Sequence, residues 1–345
     1  MRLMTIVARK ALPVVAVLIV ALAVTCCSWA GLTISTVPRA QAADANYLLI
    51  QEPDAGYSPI IGVISGAARS VRITMYELTD PAAVSALIEA HRRGVDTKVI
   101  LDAAFHGRDT NAETFQELSE AGVGVKWAPN GVIYHQKTIT VDDTTAAVGT
   151  ANLTPQYYST SRDAWVLDTS STDVAAIAAT FDTDDSTPPS GRPPAASPAP
   201  NLIWSPNARA SFLQLIDRAA HSVDATSEEL KDRAVLSALD KAARRGVNCR
   251  IVLTDKPAWA DAVAEVSAAG CSVHLFPESK RGLYMHEKIL LTDNTSLIIG
   301  SQNLSTTSLL ENRELSLTLD TAIAPDLIAA VGSTFDADYA AASAQ

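Results

Sequence analysis

Tyr134-His135-Gln136-Lys137-Thr138-Ile139-Thr140-Val141-Asp142 and Met285-His286-Glu287-Lys288-Ile289-Leu290-Leu291-Thr292-Asp293 are two copies of one stretch. Both read H-x-K-x-x-x-x-D. Each runs on into a second polar group, Gly149-Thr150-Ala151-Asn152 and Gly300-Ser301-Gln302-Asn303, and then into an acid after an arginine, Arg162-Asp163 and Arg313-Glu314. Every matched position lies 151 residues from its partner. One motif can be repeated by chance; a motif spread over 28 residues and repeated in register records a duplicated unit.

Outward from the motif, the two passes keep one plan. Tyr47–Ile50 and Asn201–Trp204 open the copies as strands. Helices follow, with Ile60, Ile61, Ile64 and Ala68 at helical spacing in one and Phe212, Leu215, Ile216 and Ala219 in the other. Strands at Val71–Tyr76 and Ser222–Thr226 come next. A helix after Asp80-Pro81 then buries Val84, Leu87 and Ile88 and stops at Arg92-Arg93-Gly94. Its partner buries Val235, Leu236 and Leu239 and stops at Arg244-Arg245-Gly246. Thr97–Leu101 and Cys249–Leu253 are almost continuously apolar or β-branched, as doubly covered parallel strands are. Strands alternating with helices predict an α/β fold built twice: two tandem, pseudo-twofold-related α-β-α sandwich domains with the active site at their interface. The expected boundaries are 43–185 and 201–345, joined by a Pro-rich linker at 186–200.

A strand sends residues i and i+2 to one face, so His135 and Lys137 share a face, as do His286 and Lys288. Asp142-Asp143-Thr144 and Asp293-Asn294-Thr295 are turn formers. The next strand therefore runs back and brings Thr150 and Asn152, or Ser301 and Asn303, to the histidine end. Imidazole, ammonium, hydroxyl and amide together make a donor-rich pocket for a tetrahedral anion. Asp163 and Glu314 are each expected to hydrogen-bond the far nitrogen of the histidine in their own copy, fixing its tautomer. Cleaving a phosphodiester through the protein takes a nucleophile on one side of phosphorus and an acid on the other. Two facing copies supply both, with His135 opposite His286 and Lys137 and Lys288 neutralising the phosphate.

The doubled H-x-K-x-x-x-x-D followed by G-[ST]-x-N resembles the phospholipase D superfamily, over essentially everything after residue 43. The resemblance implies that one histidine becomes a covalent phosphohistidine while the other serves as general acid and then as base for water. On this sequence His135 would be the nucleophile and His286 the acid, with the reverse order open. It further implies that Lys137, Lys288, Asn152 and Asn303, with Thr150 and Ser301, hold the phosphate, that Asp142 and Asp293 support the motif, and that the chemistry needs neither metal nor cofactor. Two departures, Thr150 where serine is commoner and Asp163 one methylene shorter than Glu314, leave the first half-site the less closely matched.

Composition narrows the substrate. The chain has 345 residues and a net charge of −11. Residues 1–42 hold four basic and no acidic residues, which leaves −15 on the remainder. Such a body binds a polyanionic strand poorly outside a local basic cleft. A phospholipid at a membrane or vesicle surface is the expected partner, nucleic acid is disfavoured, and no obligate protein partner is evident. Hydrolysis of the terminal phosphodiester to phosphatidic acid and alcohol is the first reading. An endonuclease or other phosphodiesterase, a lipid-transferring synthase and a catalytically silent binding module are the alternatives. Arg2, Arg9 and Lys10, the apolar run from Ala11 to Val24 and Ala40-Gln41-Ala42 read as a signal peptide over 1–42, ahead of a secreted or cell-envelope protein, with an uncleaved anchor as the rival. Cys249 and Cys271 begin neighbouring strands at one level, where a disulfide or two buried thiols fit equally well.

Overall fold

The computed structural model describes residues 46–279 and 282–344. The segment read as a signal peptide lies outside these residues. The first half contributes strands β1 (Tyr47–Glu52), β2 (Ser70–Met75), β3 (Asp96–Leu101), β4 (Gly124–Trp127), β5 (Lys137–Val141), β6 (Thr145–Gly149) and β7 (Ser161–Asp168). The second contributes β8 (Leu202–Ser205), β9 (Ser222–Thr226), β10 (Asn248–Thr254), β11 (Ser272–Phe276), β12 (Tyr284–Met285), β13 (Ile289–Thr292), β14 (Ser296–Gly300), β15 (Glu314–Asp320) and β16 (Ser343–Ala344). One sheet runs β1-β7-β6-β5-β2-β3-β4 and the other β8-β15-β14-β13-β9-β10-β11-β16, the same order strand for strand apart from the added β16 and from β12, which pairs with β7 of the first sheet. In both, the second, third and fourth strands in sequence pair in parallel, and the motif hairpin joins the second strand antiparallel.

Helices Ser58–Ser65, Pro81–Arg92 and Ala112–Glu120 cover one face of the first sheet, and Arg209–Arg218, Arg233–Arg244 and Ala260–Ala269 cover the second. Asp80 and Asp232 cap the middle helix of each set by accepting from Ala82 N (2.8 Å) and Ala234 N (3.0 Å). The other two faces meet in one shared apolar cluster. Val148 and Val166 pack there with Ile299 and Leu317, alongside Val174 and Ile177 of helix Ser171–Ser186 and Val331 and Phe335 of helix Pro325–Ala341. Each half is thus an α-β-α sandwich, and the halves share a core.

No helix or strand lies between Ser186 and Leu202. This stretch packs back on the first half, with Asn130 N donating to Pro189 O at 2.7 Å and Ser197 N to Thr180 Oγ1 at 2.9 Å. Cys249 and Cys271 are joined as a disulfide, with Cα atoms 4.6 Å apart across β10 and the start of β11. Among the described residues no helix is long and apolar enough to cross a membrane.

Candidate active site at the interface of the two halves

The hairpins β5–β6 and β13–β14 carry the motif. Their tight turns put Asp142 and Asp143 at φ 55° each, and Asp293 and Asn294 at φ 53° and 54°. Short polar side chains tolerate this left-handed backbone, which explains why the turns are Asp-Asp and Asp-Asn. Asp142 accepts from the backbone N–H groups of Ala68 (3.0 Å), Arg69 (2.6 Å) and Ser70 (2.9 Å). Asp293 does the same for Ala220 (2.9 Å), His221 (2.7 Å) and Ser222 (2.8 Å). Burial is the largest single influence and works to raise both carboxyls, but the backbone donors together outweigh it and hold them below the usual range. The two motif aspartates therefore tie each hairpin to the loop before the second strand of its sheet. They sit at the far end of the strand from the histidines, roughly 3.3 Å per residue away.

The return strands come close because of Gly149 and Gly300. A Cβ at 149 would lie 2.5 Å from the ring of Trp165 on β7, and one at 300 would lie 2.4 Å from Leu315 O on β15. Glycine at these positions lets β6 and β14 lie against their neighbours, and the acids enter from those neighbours.

At the histidine end the halves interlock. Tyr284-Met285 (β12) runs parallel to Ser161-Arg162 of β7, and Tyr134 bridges in parallel to Arg313. These contacts carry each motif onto the opposite half. His135 Nδ1 meets Glu314 Oε2 at 2.9 Å, and His286 Nδ1 meets Asp163 Oδ1 at 2.8 Å. The expectation that each acid orients the histidine of its own copy is corrected: the pairs are crossed. The reason is the strand pairing, which lays the residue before each histidine beside the arginine before the other half's acid. Each half therefore completes the other's dyad, and the site exists only where the halves are docked.

Lys137 Nζ donates to His135 O at 2.6 Å, and Lys288 Nζ donates to His286 O. Both lysines are buried. Burial, and then the charge of Lys288, bring Lys137 down to about 7. Asn152 Nδ2 reaches Glu77 Oε2 at 3.5 Å, and Asn303 Oδ1 accepts from Ser227 Oγ at 3.4 Å. Thr150 and Ser301 hydrogen-bond the strand that carries the acid. The Thr150 hydroxyl is buried, donates to Asp163 Oδ1 (2.6 Å) and accepts from Ala164 N (2.9 Å). Ser301 is buried and its hydroxyl accepts from Leu315 N at 3.1 Å. Both hydroxyls are engaged behind the site, on the strand that carries the acid. Each strand pair has one more backbone N–H to satisfy, and these hydroxyls satisfy it.

The two half-sites are not equivalent. Burial and then the Lys137 charge push His135 below histidine's ordinary 6.5, although Glu314 opposes them. His286 is raised above it: burial works against the charge, but Asp163 and a second carboxylate, Glu228, outweigh it. Glu228 Oε2 lies 3.3 Å from His286 Nε2 and 3.6 Å from Lys288 Nζ. Its counterpart Glu77 faces Asn152 and His106 instead. Tyr76 lies edge-on to His135, with ring centroids 4.8 Å apart, and its hydroxyl meets His106 Nε2 at 3.2 Å. Glu77, Glu228, Tyr76 and His106 belong to the site without having been picked out in the sequence. Glu77 and Glu228 were within reach, being 151 residues apart like the motif itself.

With this geometry in place, the family match decides the lineage. Residues 60–184 and 212–339 each match the family described as "Cardiolipin synthase, PLD-like domain". The chain belongs to the phospholipase D-like family. Among relatives of this phospholipase D-like chain, the mitochondrial cardiolipin hydrolase of Xenopus laevis is 27% identical over 110 residues, which is 32% of this chain and 51% of the relative. Cardiolipin synthase A of Pseudomonas entomophila is 30% identical over 135 residues, 36% of this chain and 27% of the relative. The chain thus spans about half or less of the curated relatives it matches. Among solved structures, phosphatidylserine synthase of Haemophilus influenzae superposes with a TM-score of 0.68 at 13% identity, covering 88% of each chain. Polyphosphate kinase of Porphyromonas gingivalis gives 0.64 at 16% identity, covering 86% of this chain and 51% of the kinase. At such identities these likenesses speak for the fold alone.

Proposed function

We propose that the protein is a phospholipase D-type hydrolase, exported from the cell, that cleaves the terminal phosphodiester of a phospholipid to phosphatidic acid and a free alcohol. The observation that carries the reading is the pair of crossed histidine–carboxylate dyads, each backed by a lysine, with His135 shifted down and His286 shifted up from the ordinary histidine value. The kinship with relatives named for cardiolipin supports a lipid, as does a body of charge −15 that repels a polyanionic strand.

In this mechanism His135, neutral, attacks phosphorus through Nε2 while Glu314 on Nδ1 stabilises the charge that develops on the ring. The phosphorus–oxygen bond to the alcohol breaks, and His286 Nε2 gives that oxygen its proton. A phosphohistidine on His135 remains. Neutral His286 then takes a proton from water, whose oxygen attacks phosphorus and releases His135 and phosphatidic acid. Lys137, drawn down to about 7 by burial and the Lys288 charge, takes up a proton as the phosphate enters, so phosphate binding and lysine charging are coupled.

A phosphohistidine partitions among the hydroxyls that reach it. Mature protein with phosphatidylcholine vesicles and ethanol should therefore give phosphatidylethanol beside phosphatidic acid. Plasmid and single-stranded DNA at low salt form the second arm. DNA cleavage that His135→Asn abolishes, with no lipid product, would transfer the protein to the nucleases, and product formed only with an alcohol acceptor would make it a transferase. Export is tested by following tagged protein into the culture medium and envelope fractions.

A further inference from the structure

The pseudo-twofold that relates the half-sites is broken at Glu77 and Glu228. Glu77 and Glu228 follow β2 and β9 at matching positions. Glu77 turns aside, its Oε1 3.4 Å from His106 Nδ1 and its Oε2 accepting from Asn152 at 3.5 Å. Glu228 turns inward. One of its oxygens bridges His286 Nε2 (3.3 Å) and Lys288 Nζ (3.6 Å). The other accepts from the Tyr284 hydroxyl at 2.9 Å, and that hydroxyl is itself held by Lys256 Nζ at 2.6 Å. Nε2 and Nζ are the atoms that would meet the oxygens of a bound phosphate, since Nδ1 of His286 is occupied by Asp163.

Resting on the reading that the site takes a phosphodiester, we propose that Glu228 is an anion built into the phosphate seat of the second half-site, and that a phosphodiester enters by exchanging with it. Like a phosphodiester, the carboxylate carries one negative charge and offers two oxygens. Both anions cannot hold the same ammonium and imidazolium donors at contact distance. The side chain is 26% exposed, so it has an outlet toward solvent. The inward turn of Glu228 accounts for the upward shift of His286, where His135 is shifted down. Asp163 from β7 and Glu228 from the loop after β9 face it, against Lys288 two residues along the chain, with the Tyr284 ring 6.2 Å away; His135 in turn acts on Glu228. Glu228 thus acts as a positioning residue: it holds the proton on His286 in the empty site and yields its place when the substrate's own charge arrives.

The test is a titration of the full chain with inorganic phosphate, read by calorimetry, alongside nitrogen-15 spectra of the histidine rings. Glu228→Gln keeps the shape and removes the competing charge. It should bind phosphate about tenfold more tightly than wild type, and the His286 ring should titrate at lower pH while His135 moves less. Tyr284→Phe keeps the carboxylate and cuts its tether, and should tighten phosphate by about two- to threefold; it decides the matter if the first variant does not fold. Glu229→Gln, one residue away and paired outward with Lys231, should change phosphate affinity by less than about twofold. Phosphate bound no more tightly by Glu228→Gln, or tightened equally by Glu229→Gln, would overturn the exchange. The titration needs no turnover. A chain that cleaves no phosphodiester while Glu228→Gln gains affinity would therefore defeat the proposed function and leave the exchange standing.

Discussion

His135 and His286 occupy matching positions and carry opposite expectations for pH. In the proposed mechanism His135 must be unprotonated to attack, and it is shifted below 6.5; His286 must be protonated to give its proton, and it is shifted above 6.5. kcat/KM should therefore be bell-shaped, rising through an acid limb below pH 6.5 and falling through an alkaline limb above it, the two belonging to a coupled pair. His135→Asn and His286→Asn should each lower turnover by about 10³-fold or more on a poor leaving group, as deleting one member of a concerted set does. With p-nitrophenol as leaving group the acid becomes dispensable, so His286→Asn should recover most of its first half-reaction and lose the alkaline limb. Recovery by His135→Asn instead would reverse the roles. Lys137 and Lys288 supply the positive charge a metal would otherwise bring, and no cluster of His, Cys, Asp or Glu among the described residues is arranged to hold one. Activity should thus survive dialysis against a strong chelator, and restoration by one divalent ion after its loss would refute this.

Among the elements, the motif hairpin is the most legible and the loops around it the least. The period-2 run after His135, the Asp-Asp turn and the Gly149 that follows are local signals, and the fold uses each locally. The crossing of the dyads left no local signal. The run Ala164-Trp165-Val166-Leu167 marks β7 as buried but not which strand lies beside it, and β12 pairs with it from 123 residues away. Glu77 and Glu228 stood in the repeat offset, yet a single acid after a strand reads as surface charge until its neighbours are known. The motif aspartates yield a prediction at this scale. Asp142→Ala strips three backbone N–H groups of their acceptor and should cost about 1–2 kcal/mol, discounted for solvent exposure, lowering the melting temperature by a few degrees. Because the folded carboxyl is depressed, its stabilisation is complete above the unfolded value of about 3.9 and fades as pH falls through the folded one. The gap between variant and wild type in thermal melts should accordingly close at acid pH; a gap that widens there would mean Asp142 acts otherwise.

At the scale of the whole molecule, docking the halves is what builds the site, and two buried ion pairs fix the docking. Arg162 of the first half grips Asp338 of the last helix, Nε to Oδ2 at 2.7 Å and an Nη to Oδ1 at 2.9 Å. Arg313 of the second half grips Asp184 of the first half's last helix at 2.9 and 2.8 Å. Each arginine immediately precedes a dyad acid, and on a strand neighbouring residues face opposite ways. One residue therefore anchors the opposite helix while the next orients the opposite histidine. Asp184→Asn leaves the Arg313 charge, about 1% exposed as a residue, without its counter-charge and should cost about 3–5 kcal/mol. Since Glu314 rides on the same strand, kcat should fall more than KM rises. Replacing the pair together, Arg313→Met with Asp184→Leu, removes both charges at similar volume and should bring stability back near wild type. If kcat returns with it, packing across the interface is enough to hold Glu314 on His135. If stability returns and kcat stays low, the bidentate pair itself sets the register of the dyad. Lost stability in the double variant as deep as in the single one would show that Arg313 and Asp184 hold the halves together through contacts other than each other.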